Sequence, residues 1–135
     1  MSILRVLVWT TIIFALLKVL GIYPGIAYAP SLDCPTDNKK CLVERARHYA
    51  RIYGINETKY LKTIQGESNW NPKAVGDGKK AYGIAQFHKP TFTAFARLCG
   101  YSNASYTDTN TQLAVMACAF ANGLAHHWTV YRNLK

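Results

Sequence analysis

Between Lys39 and Tyr53 apolar residues recur at intervals of three and four: Leu42, Ala46, Tyr49, Ala50 and Tyr53 share one side, while Arg45, Arg47 and Arg51 fall elsewhere. A repeat of about 3.6 residues puts such positions on one helical face, so this stretch is predicted as an amphipathic helix ended by Gly54. Asn56 is placed to cap a second helix from Glu57 to about Glu67, with Tyr60, Leu61 and Ile64 inward. Asn71-Pro72 then stops it, because proline offers no N–H and restricts the residue before it. Over residues 73–87, Gly76, Gly78 and Gly83 surround an Asp77-Gly78 step and predict a turn-rich excursion with a small hairpin. A loop of this length in a small domain usually serves a function.

Pro90 suits the first turn of a third helix through Phe92, Phe95, Ala96 and Cys99, closed by Gly100. After a polar loop at 101–107, Asp108 or Thr109 caps a fourth helix through Leu113, Met116, Ala117, Phe120 and Leu124. A short last helix carries Trp128 and Tyr131. The pattern contains no internal repeat and predicts a mainly α (α+β) architecture with a minor β element. With 135 residues there is room for one substantial core, so residues 39–135 are expected to form a single domain.

Residues 1–29 break the pattern. Arg5 gives a positive start, Val6 to Leu17 is largely apolar, and Ala27-Tyr-Ala29 supplies small residues for cleavage, the layout of an export signal. Lys18 interrupts the apolar run, which argues against a permanent bilayer span; an uncleaved anchor with transient membrane association is the alternative. Residues 30–38 read as a polar lead-in.

Composition then narrows the chemistry. The chain carries 16 basic and 7 acidic residues, a formal charge of +9, and removal of residues 1–29 takes away Arg5 and Lys18. Such a field favours polyanions, and outside a cytoplasm these include cell-wall polymers. Nucleic acid is disfavoured, since Lys39-Lys40 and Lys79-Lys80 are the only adjacent lysine pairs and no groove-tracking stripe appears. Four cysteines in an exported chain imply two disulfides, and the sequential pairs Cys34 with Cys41 and Cys99 with Cys118 are favoured over the other two connectivities. No C-x2-C pair or spaced histidine set supports a metal site, and no cofactor is implied.

Glu67, one of three glutamates, lies three residues after Ile64 and seven after Tyr60, on the apolar side of the second helix. Burial there disfavours the ionised form and lifts its pKa above the ordinary value of about 4.3. A carboxyl that keeps its proton near neutral pH can donate it to a leaving group. A local cap or ion pair is the plainer role for such a residue. Around it stand Trp70, Tyr82 and Phe87 with the polar Ser68, Asn69 and Gln86, a mixture suited to the apolar face and the hydroxyls of a sugar.

Two blocks, Glu67-Ser-Asn-Trp-Asn-Pro-Lys-Ala74 and Ala81-Tyr-Gly-Ile-Ala-Gln-Phe87, together resemble the active-site region of the lytic transglycosylase, or goose-type lysozyme-like, family. That family has a catalytic glutamate followed by serine, then Asn-Pro-x-Ala, and then Gly-(Leu or Ile)-x-Gln. The resemblance implies a lysozyme-like domain acting on peptidoglycan glycan strands; with the export signal, an exported enzyme is expected, and a monomer. The resemblance also implies Glu67 as general acid and base, Ser68 beside it, and Tyr82, Gly83 and Gln86 along the cleft, with Asn69 and Phe87 as further contacts. The late Tyr-Asn-x-Gly segment of the family is missing, and Trp128 and Tyr131 stand in that region. With one carboxylate in the cleft, the implied product is a 1,6-anhydro sugar; if Asp77 orients a water, the outcome is hydrolysis. A wall-binding domain without catalysis is the competing class.

Overall fold

The computed structural model describes residue 35 and residues 38–135. Residues 1–29, most of the lead-in and Cys34 lie outside the described residues, and with them the export signal and the Cys34–Cys41 pairing. Among the described residues no helix is long and apolar enough to cross a membrane.

Helix α1 spans Lys39–Tyr53, capped by Asn38, whose side chain accepts the Cys41 N–H, and closed by a left-handed Gly54. Helix α2 spans Glu57–Ser68, capped by Asn56 through the Lys59 N–H, and ends on Asn69 in the left-handed conformation. Strands β1 (Val75–Gly76), β2 (Ala81–Tyr82) and β3 (Phe87–His88) form a small antiparallel sheet in the order β1-β2-β3. Its register pairs Val75 with Tyr82 and Tyr82 with Phe87. Helix α3 (Lys89–Leu98) follows directly, with proline in its first turn. Helix α4 spans Thr109–Ala121 behind an Asp108 cap, and helix α5 spans Thr129–Asn133. The chain is therefore lysozyme-like in plan: mainly helical, with a small sheet inserted after α2.

Nine residues of α4 are buried, from Thr109 through Ala119, so it is not the one-sided helix its spacing suggests. A helix apolar around its circumference belongs in the middle of a domain, and the others wrap it. Helix α1 is tied to it where Arg45 Nη1 and the Tyr49 hydroxyl both donate to Asn110 Oδ1 at 2.9 Å. Helix α2 is tied to it by the Tyr60 hydroxyl, which donates to the Leu113 carbonyl at 2.8 Å in the core. The predicted disulfide Cys99–Cys118 joins the end of α3 to α4. Closing a chain segment of that length contributes about 3 kcal/mol.

Candidate active site

Glu67 is the penultimate residue of α2, where the helix passes from core to surface. It is half-buried and opens into a cleft of about 420 Å³ whose lining includes Glu67, Asp77, Gln86, Phe87, His88 and Trp128. Its Oε1 accepts the main-chain N–H of Val130 at 3.3 Å. Burial pushes the Glu67 carboxyl above its usual pKa, and the Val130 N–H pulls in the opposite direction more weakly. The group is thus biased toward its protonated form while remaining open to a ligand.

Gln86 of the lining belongs to the turn between β2 and β3, and buried side chains hold that turn. Gln112, fully enclosed on α4, accepts the Ala85 N–H at 3.1 Å and donates to the Tyr106 and Tyr82 carbonyls at 2.8 and 3.3 Å. Gly83 lets the turn pass so close: its φ is +83°, and a Cβ there would lie 2.4 Å from the Gln112 amide. Trp128 braces the same turn, donating its indole N–H to the Ala85 carbonyl at 2.8 Å.

Of the residues singled out in the sequence, Glu67, Asp77, Gln86, Phe87 and Trp128 line the cleft. Gln86 also braces the turn, with Nε2 donating to the Ala74 and Gly83 carbonyls at 3.0 and 2.9 Å. Phe87 is buried in an aromatic cluster, edge-on to Phe92, Phe95 and Trp128. Ser68, Asn69, Tyr82 and Gly83 are not among the lining residues. The Ser68 hydroxyl donates to the Ile64 carbonyl within α2, Asn69 forms its C-cap and accepts from Gln65, and the Tyr82 ring rests on Tyr106. Trp70 packs in the core.

Several lining residues, His88, Thr91, His127 and Thr129, were not singled out from the sequence. Asp77 read as a turn former, and it does adopt a left-handed φ of 49°, yet its carboxylate faces the cleft with Oδ2 2.7 Å from His88 Nε2. The Asp-Gly step signalled the turn and hid the side chain's direction. His127, Trp128 and Thr129 form the C-terminal wall, where the family's Tyr-Asn-x-Gly segment is missing. Tyr131 packs on Phe120, with the Lys59 ammonium over its ring. Among the described residues no group of three or more His, Cys, Asp or Glu side chains is placed to hold a metal ion.

Comparison with known proteins agrees with this layout. A model of the phage tail lysozyme family matches residues 61–135, which include Glu67, the sheet, Gln112 and the C-terminal wall. No curated protein and no solved structure matches the chain. Because the match covers more than half of the chain, over the part that builds the cleft, the protein belongs to the phage tail lysozyme family, a lysozyme-like family of peptidoglycan-cleaving proteins.

Proposed function

We propose that the protein cleaves the β-1,4 bond between N-acetylmuramic acid and N-acetylglucosamine in peptidoglycan outside the cytoplasm, with Glu67 as the general acid. The observation that carries this reading is the half-buried Glu67 carboxyl, held toward its protonated form at the end of α2 and open to the cleft. A carboxyl in that state gives its proton to the glycosidic oxygen as the C1–O bond breaks and positive charge develops on the sugar ring. The likeness of Glu67-Ser68 and Gly83-Ile-Ala-Gln86 to lytic transglycosylases supports an intramolecular second step. There the Glu67 carboxylate takes the proton of the muramoyl C6 hydroxyl, whose oxygen closes on C1 to give the 1,6-anhydro product.

One observation favours a second reading, simple hydrolysis. Asp77 lines the same cleft as Glu67 and is steadied by His88, so a second carboxylate is available to activate a water. Digestion of purified walls followed by mass spectrometry separates the two, because the anhydro fragment is lighter than the hydrolysed one by one water, about 18 Da. Glu67→Gln is expected to abolish either product, by about 100-fold or more, because it removes the transferable proton with little change of volume. Retained cleavage in that variant overturns the assignment. Asp77→Asn is expected to spare anhydro formation and to suppress hydrolysis.

A further inference from the structure

Among the described residues the Glu67 carboxylate has one hydrogen-bond donor, and it belongs to the main chain. The polar side chains of Ser68, Gln65 and Gln86 are engaged elsewhere. The Ser68 hydroxyl bonds to Ile64, the Gln65 amide to Asn69, and the Gln86 amide to the turn. What reaches Glu67 is the Val130 N–H, from a segment 63 residues further along the chain. The approach is close at a second point. A Cβ at Gly66, the residue before Glu67, would lie 2.6 Å from Val130 Cγ1 and 3.0 Å from Cγ2, so α5 can sit there only because residue 66 has no side chain.

We infer that Val130, through its main-chain N–H, is the positioning residue of Glu67, and that Gly66 is the gap in α2 that admits it. The inference rests on the assignment of Glu67 as the acid. It gives the C-terminal segment a task at the reacting group itself: a donor fixed by packing restricts the carboxyl to one rotamer, so the proton is already aimed when a glycosidic oxygen arrives. The Val130 side chain matters only by its bulk, and the N–H survives any substitution except proline.

The test uses the full chain. Val130→Ala keeps the N–H but trims the side chain that packs on Gly66, and is expected to lower kcat by less than Gly66→Ala does. Gly66→Ala inserts a methyl group against Val130 and is expected to lower kcat by about tenfold with little change in KM. Its pH–rate profile should also shift: loss of a donor to the ionised carboxyl makes that form harder to reach, so the alkaline limb moves to higher pH. The double variant Gly66→Ala/Val130→Ala removes the clash and is expected to recover to the level of Val130→Ala, which a general weakening of α2 would not allow. Failure of that recovery, or an alkaline limb unmoved in Gly66→Ala, overturns the inference. Should Gly66→Ala not fold, the parent protein decides alone. The Val130 amide resonance is expected to move in step with the Glu67 titration and to stay still in Glu67→Gln; a pH-independent Val130 amide refutes the contact. Cleavage retained by Glu67→Gln would instead overturn the acid assignment and leave the Val130 contact standing as a structural bond.

Discussion

Glu67 works against the stability of the helix that carries it. Its pKa is raised in the folded chain, so between the ordinary carboxylate pKa and the folded one the native state binds more protons than the unfolded state. Stability therefore falls as pH rises through that window, because ionisation must then occur in a partly desolvated place. Glu67→Gln removes the penalty. We expect the variant to melt at the same temperature as the parent below about pH 4 and higher than the parent at pH 7, as thermal unfolding at the two pH values would reveal. A variant that is inactive and less stable at pH 7 would contradict this balance. The same residue marks how far local pattern reaches. Helical spacing places Glu67 on the apolar side from Tyr60 and Ile64 alone, because three- and four-residue neighbours lie within one turn of each other. Just beyond the helix, Asn69 and Trp70 take left-handed φ values of 51° and 64°, and there the periodicity stops predicting side-chain direction. Trp70 accordingly goes to the core. All five non-glycine residues with positive φ among the described residues lie between Asn69 and Gln86. Such conformations cost about 1–3 kcal/mol each and persist only where surrounding contacts hold them, which is why they gather around a cleft.

At the scale of elements, the first four helices were legible because each carries its own signal: Gly54 as a stop, Asn56 and Asp108 as caps, and Pro90 as a start, whereas the Asn38 cap emerged only in the fold. The sheet was expected only as a small hairpin, and its third strand runs straight into α3 without a loop to announce it. The side chain that holds the β2–β3 turn was not foreseen. Gln112 lies on α4, remote in sequence, and a glutamine in a helix ordinarily faces water. Here it reaches Tyr82, Ala85 and Tyr106 at once and replaces the ladder bonds that so short a sheet cannot supply. Gln112→Leu would leave the buried Ala85 N–H and two carbonyls without partners, at about 1–3 kcal/mol for each group left buried. We expect a loss of about 3 kcal/mol in denaturant unfolding, together with a fall in wall cleavage of about tenfold as Gln86 and Phe87 lose their seating. Unchanged cleavage in a folded Gln112→Leu variant would mean that the turn keeps its shape by other contacts.

At the scale of the whole molecule, the positive charge is spread around the cleft instead of being focused in it. Lys39 and Lys40 on α1, Lys62 on α2, Lys79 and Lys80 beside β2, and Lys89 at the start of α3 are all exposed, whereas the cleft itself presents Glu67 and Asp77. A distributed cationic surface draws the protein toward an anionic wall without selecting any bond in it, while the acidic cleft is suited to the positive charge that develops on a cleaved sugar. The two contributions separate by ionic strength. Added salt shortens the screening length from about 30 Å at 0.01 M to about 8 Å at 0.15 M, which weakens capture by long-range charge and leaves a half-buried carboxyl almost untouched. Initial rates on intact anionic walls are therefore expected to fall about tenfold across that range through KM, with kcat held constant. Rates on a short uncharged glycan should change by less than about twofold, since it is taken up by the cleft alone. Equal salt sensitivity for both substrates would place the useful positive charge inside the cleft, against the positions of the lysines.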